Sequence, residues 1–329
     1  MIGYYIHHHG RGHLARATAI ADHIEITGLS SLPRPEDWPG DWIELPIDDA
    51  ESVRDPHANG RLHWAPLHAS GLCTRSAAIS DWIAVARPAA FVVDVSVEVS
   101  LLARLHGIPI ITFALPGNRM DRAHRLGFDI ATSILAAWPA GVRGMDLGLP
   151  SETRRRVVPV GAIGRFDPAD REPPTDGPTD RRVLVLAGTG GDGITQEAVT
   201  AARAATPRWR WKHLGGSGEW VSDIWPHLQD ATVVVTHAGE GALADVSAAR
   251  RPAIVIPQPR PHDEQRVTAA VLGSGLWPAL VVDRWPRRGW AGLLDRAGVL
   301  DGGAWKWWND GNGAQRAADA ILDVARGES

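Results

Sequence analysis

Three stretches of the chain combine residue types and spacings that can do chemistry. The first is "YYIHHHGRGHLARA", Tyr4 to Ala17, in which His7, His8, His9 and His13 surround Gly10 and Gly12. An imidazole titrates near neutral pH, so such a group can bind a metal, move a proton or hold a ligand. The histidines lie between an apolar run and a glycine loop, which argues against a purification tag. Strand alternation puts His7 and His9 on one face and His8 on the other. Gly10 and Gly12 bring the start of the following helix close to a ligand, with His13 in its first turn. There the helix dipole opposes protonation, and His13 is read as a general base. A zinc site and a purely structural set of histidines stay open beside that reading, although no further His/Asp/Glu grouping shows metal-ligand spacing.

The second stretch is "LAGTGGDG", Leu186 to Gly193. It follows a strand and opens a helix, and the amides of Gly188, Thr189, Gly190 and Gly191 would form an anion cradle. No Lys-Ser/Thr pair follows, so it is not a Walker A loop, and it does not fit GxGxxG. The third is "VVVTHAGEGALADVSAARRPAIVIPQPRPHDEQRVTAA", Val233 to Ala270. His237 and the amides around Gly239, Glu240 and Gly241 suit a diphosphate. Asp245, two turns into the helix, suits ribose hydroxyls, and Glu264 with Gln265 suits a sugar ring.

These loops need strands and helices to position them. Strand Ile2 to Ile6, a helix from about Leu14 to Ile26, strand Trp42 to Leu45, helix Ser76 to Ala86, strand "AAFVVDVSVE" carrying Asp94, helix Val97 to His106 and strand "IPIITFA" alternate. A stretch dense in Pro, Asp and Arg reads as a linker, after which strand "RVLVLAG" starts a second alternating series. The pattern predicts an α/β protein of two doubly wound, Rossmann-like domains facing across a cleft. We place the acceptor domain at 1–158, the linker at 159–182 and the donor domain at 183–310. A C-terminal helix over 311–329 would pack back on the first domain.

Bulk properties narrow the function classes. A chain of 329 residues can build two cores. A net charge of −4 argues against a nucleic-acid partner. Cys73 stands alone, which excludes an internal disulfide. No run approaches the roughly 18 apolar residues of a membrane span, and the start lacks the marks of a secretory signal, so a cytoplasmic protein is expected. The 15 Trp stand against 4 Phe and 2 Tyr. "WPRRGW" and "WKWW" read either as packing segments or as interfacial ones touching the inner face of a membrane.

The third stretch resembles the nucleotide-sugar signature of GT-B glycosyltransferases, above all the branch holding the peptidoglycan N-acetylglucosaminyl transferase and the plant and antibiotic glycosyltransferases. His237-x-Gly239, the acidic Asp245 six residues on, and Glu264-Gln265 match that signature. "GRGH", Gly10 to His13, resembles the family's first glycine loop, and "VGAIGRF", Val160 to Phe166, its crossing into the second domain. Asp245 stands where the family usually has Glu, Gly241 and Ala242 replace Asn or Ser, and Thr268 replaces a common Asn. The resemblance implies that Asp94 orients the basic His13, a role set beside that of a simple helix cap. It places Gly12, Glu98 and Arg119, with Asp121 and His124, on the acceptor side.

Together these readings predict an inverting transferase without metal or cofactor, the nucleotide-sugar being a co-substrate. The resemblance favours UDP over dTDP or GDP. The acceptor is a hydroxyl or amine on a small molecule or a lipid-linked carrier. A nucleotide-sugar epimerase or hydrolase, or a non-catalytic binder, are the competing readings.

Overall fold

The computed structural model describes the chain except residues 9–10, 50–51, 167, 169–180, 189–193 and 329. In the first domain the strands are β1 (Ile2–Tyr5), β2 (Ile26–Ser30), β3 (Trp42–Glu44), β4 (Ala90–Val93), β5 (Ile110–Ala114), β6 (Gly117–Asn118), β7 (Ser133–Ala136), β8 (Asp146–Leu147) and β9 (Val157–Pro159). Its helices are α1 (Arg11–Ala21), α2 (Ser70–Ala86), α3 (Val97–Leu105), α4 (Arg122–Ile130) and α5 (Ser151–Arg155). The second domain carries β10 (Arg182–Leu186), β11 (Arg210–Leu214), β12 (Val233–Thr236), β13 (Ala253–Val255) and β14 (Ala279–Val281). Its helices are α6 (Gln196–Ala204), α7 (Trp225–Asp230), α8 (Glu240–Ala248), α9 (Glu264–Leu272) and α10 (Trp290–Ala297), and α11 (Gly313–Arg326) ends the chain.

The first sheet runs β3-β2-β1-β4-β5-β7-β9 and the second β11-β10-β12-β13-β14, all pairs parallel; β6 and β8 form a separate short pair. Helices cover both faces, so the strands are apolar on both sides. Along β1, Tyr4 faces Ile20 of α1 and Ile321 of α11, while Tyr5 faces Ile79 of α2 and Val99 of α3. The order of each sheet reverses once: between β1 and β4 in the first, between β10 and β12 in the second. Such switch points open a crevice at the carboxyl ends of the strands. The segments that leave β1, β4, β10 and β12 carry His13, at the start of α1, Asp94, Gly188 and His237.

The two sheets share one apolar mass. Phe128, Ile134, Ala136 and Trp138 of the first domain belong to the same buried cluster as Leu184, Val234, Leu243 and Leu272 of the second. Residues 160–163 run through this mass, with Val160 and Ile163 buried against the first sheet. α11 lies on the first domain's core through Ala317, Ala318, Ile321 and Val324.

Local pattern misleads in two places. The helix expected to reach Ile26 ends at Ala21, and "ITGLS" forms β2 instead. In that strand Gly28 lets the Trp42 ring lie directly over the backbone, where a Cβ would be 2.5 Å from it. β1 also stops at Tyr5, before the histidines, and the His7 and His8 rings stack 5.0 Å apart rather than pointing to opposite faces; His9 lies outside the described residues.

Candidate functional site

β1 and β4 are neighbours in register Tyr5 with Val93, so their ends release Ile6 and Asp94 side by side. Asp94 is fully buried, and its backbone N–H donates to the Tyr5 carbonyl. His13, on the first turn of α1, brings Nδ1 to 3.0 Å from Asp94 Oδ2 and keeps a fifth of its side chain exposed. Arg16 follows at i+3 on the same helix face, donates to Asp94 Oδ1 at 2.6 Å and lies over the Phe113 ring. Arg16 also lies 3.4 Å from His13 Nδ1. The nearer, charged Asp94 favours a proton on Nδ1, which leaves the Nε2 lone pair as the base. Burial opposes the Asp94 charge, but Arg16 and then His13 outweigh it and hold the carboxyl below its ordinary range.

The opposite wall is built by β12 and α8. The Gly239 N–H donates to His237 Nδ1 at 3.0 Å, which makes Nε2 the protonated nitrogen. Burial, aided by the Arg260 charge, pushes His237 down to about 4, so it is a neutral donor near pH 7. Gly188 and Gly239 bracket its ring: a Cβ on either would come within 2.6 Å of the imidazole. α8 begins at Glu240 with Gly239 as N-cap, and its first intrahelical bond is that of the Leu243 N–H. The amides of Glu240, Gly241 and Ala242 therefore precede the helix ladder at its positive end.

Both walls face one cleft of about 610 Å³, lined by Gly12, His13, Gly188, His237 and Gly241. Two ion pairs join the domains, the first at the cleft and the second beside it. Arg16 donates to Glu240 Oε2 at 3.1 Å, and Arg119 to Glu264 Oε2 at 3.0 Å. Burial raises the Glu240 carboxyl, and its neighbours Glu264 and Asp94 push the same way against Arg16.

Other candidate residues have different surroundings. Asp245 lines the cleft but accepts from Arg165 Nε at 3.2 Å and Nη2 at 2.8 Å. Gln265 is buried: its oxygen accepts from the Gln258 N–H at 2.9 Å and its nitrogen lies 3.4 Å from His237 Nδ1. It supports the imidazole from behind. Glu98 accepts from the His63 and Trp64 backbone N–H groups and lines a separate cavity of about 90 Å³. Thr189, Gly190 and Gly191 lie outside the described residues.

Sequence reasoning missed Arg16, Arg165 and Trp220. Arg16 had a signal in its i+3 spacing from His13. Trp220 lines the cleft with 61% of its surface exposed, and offers a flat face there. The tryptophan segments are mostly interior: Trp290, Trp305 and Trp308 are buried, and Trp277 packs on the last two. Of the three tryptophans in "WKWW", Trp307 is the exposed one.

The fold has counterparts among solved structures. MurG of Acinetobacter baumannii superposes with a TM-score of 0.62 at 14% identity, over 98% of this chain and 99% of that one. The calicheamicin glycosyltransferase CalG4 gives 0.62 at 15% identity, over 98% of both chains. This is the GT-B fold. Within it, residues 217–276 match the glycosyltransferase family 28 C-terminal domain, a span holding His237, Gly239, Asp245, Glu264 and Gln265. A UDP-N-acetylglucosamine–N-acetylmuramyl-(pentapeptide) pyrophosphoryl-undecaprenol N-acetylglucosamine transferase of Rubrobacter xylanophilus is 32% identical over 191 residues, 51% of this chain and 54% of that protein. The similarly named protein of Clavibacter sepedonicus is 28% identical over 199 residues. The chain thus spans about half the length of the curated relatives it matches. Among the described residues no helix is long and apolar enough to cross a membrane.

Proposed function

We propose that this GT-B chain is an inverting glycosyltransferase that moves a sugar from a nucleoside-diphosphate donor, UDP favoured, to a hydroxyl or amine acceptor. The observation that carries the reading is the facing of His13 and His237 across one cleft of sugar size. His13 Nε2 takes the acceptor proton as the acceptor atom bonds to the anomeric carbon. The bond from that carbon to the phosphate oxygen breaks, and the diphosphate leaves with its electrons. Asp94 stabilises the imidazolium formed, and Arg16 keeps Asp94 ionised. Neutral His237 and the leading amides of α8 receive the developing diphosphate charge, which is the task a divalent cation performs elsewhere. Trp220 offers a stacking face to the base.

The names of the Rubrobacter and Clavibacter relatives, and a solved neighbour in complex with UDP, support UDP as nucleotide. The relatives' names, which include pyrophosphoryl-undecaprenol, also favour a lipid-linked acceptor. A chain that takes such an acceptor would work peripherally at a membrane face. The test is release of UDP from a panel of UDP-sugars with and without acceptors, in EDTA, with the product anomer read by NMR. Acceptor-dependent release with inversion supports the reading. Turnover of donor alone points to a hydrolase or epimerase, donor binding without turnover to a binding protein, and activity lost in EDTA and regained with Mg²⁺ or Mn²⁺ but not with Zn²⁺ overturns metal independence of the transfer.

A further inference from the structure

Outside the cleft, three imidazoles converge on one carboxylate. His63 Nε2 lies 3.4 Å from Asp121 Oδ1, while His124 Nδ1 at 2.5 Å and His262 Nδ1 at 3.8 Å approach Oδ2. The His124 ring centroid is 4.3 Å from that of His63 and 4.6 Å from that of His262. Ligand atoms of His63, Asp121 and His124 all fall within 4.8 Å of one another. In a tetrahedral zinc site with bonds of 2.0–2.2 Å, neighbouring ligand atoms are about 3.3 Å apart. The His63 contact already has that spacing, whereas His124 would have to draw back from the carboxylate and His262, outside the 4.8 Å group, to close in.

We propose that His63, Asp121, His124 and His262 form a divalent transition-metal site, suited to zinc, that clasps the first domain to the second at the rim of the cleft. Three imidazoles and one carboxylate are a nitrogen and oxygen set that zinc takes in four-coordinate form. The supports of a ligand shell are present. Asp121 caps α4, its Oδ1 accepting from the Ala123 and His124 amides, which fixes the carboxylate. Glu98 holds the His63 and Trp64 backbone, which aims His63 inward.

Arg119 is the cationic neighbour, donating to His124 Nε2 at 3.2 Å. Metal on Nδ1 moves the His124 proton to Nε2, so Arg119 gives up that contact and keeps Glu264. The clasp spans domains because His262 belongs to the turn Pro261–Asp263 of the second domain, whose backbone packs on Gly117 of the first. None of the four residues lines the main cleft, so the ion sits apart from the donor site.

The experiment loads the chelator-stripped full chain with Co²⁺, reads its visible absorption band, and then measures Zn²⁺ stoichiometry and affinity by competition. One equivalent with a tetrahedral band is expected. His262→Ala and the double variant His63→Ala/His124→Ala should each weaken binding at least about tenfold, while their circular dichroism stays that of the parent. Absence of a stoichiometric band overturns the site. A band unchanged in the double variant overturns it in favour of other histidines, and a band unchanged in His262→Ala overturns the clasp between domains.

Discussion

Arg16 and Asp94, 78 positions apart, form the buried pair at the centre of the cleft wall, with guanidinium and carboxylate 2.6 Å apart. The second arm of the same guanidinium crosses to Glu240 at 3.1 Å. One side chain thus fixes the partner of His13 and ties α1 to α8. Burial works against the Arg16 charge, and Asp94 and then Glu240 outweigh it, so the group stays protonated at any working pH.

Arg16→Met should destabilise the chain by about 3–5 kcal/mol, because it leaves Asp94 buried without its cation. Glu240→Gln keeps an acceptor for Arg16 and should cost about 1 kcal/mol. Urea denaturation followed by tryptophan fluorescence gives both. Equal, small losses would mean that water replaces Arg16 at Asp94.

His13→Ala should lower kcat by about 10²–10⁴-fold with the donor affinity unchanged, since general-base catalysis is worth that much. Asp94→Asn should lower kcat in the same range by releasing the His13 tautomer. Isothermal titration with UDP separates binding from turnover. A variant that loses UDP affinity along with rate would move His13 into the binding site.

His237 gives a pH signature. Its folded pKa of about 4 lies below the ordinary value of 6.5, so the unfolded chain takes up the proton first as pH falls. The stabilising contribution is complete above about 6.5 and is lost on acidification through about 4, with a limiting slope of about 1.4 kcal/mol per pH unit. Denaturation midpoints measured from pH 7.5 to 4.5 should fall less steeply in His237→Gln than in the parent. Parallel curves would show that this imidazole is not held neutral.

Gln265→Leu should cost about 1–3 kcal/mol by stranding the Gln258 N–H. It should also raise the donor KM, because the His237 ring loses its backing. A variant with unchanged KM would confine Gln265 to packing.

Periodicity and punctuation in the sequence determined the alternation of strands and helices, the two doubly wound units and the glycine turns at their strand ends. Those features are local: a strand buried on both faces, a glycine and a helix start are written within a dozen residues. The residue types of the cleft were legible for the same reason, since His13, Asp94, Gly188 and His237 each end or follow a strand. Their partners were not legible. Arg16 reaches Glu240 across 224 positions, Arg165 reaches Asp245 across 80, and His262 approaches Asp121 from another domain. Periodicity says which face of an element is buried. Which charge meets which depends on how two sheets pack through a shared core, and only the tertiary structure decided that Asp245 is held by Arg165 and Gln265 by Gln258.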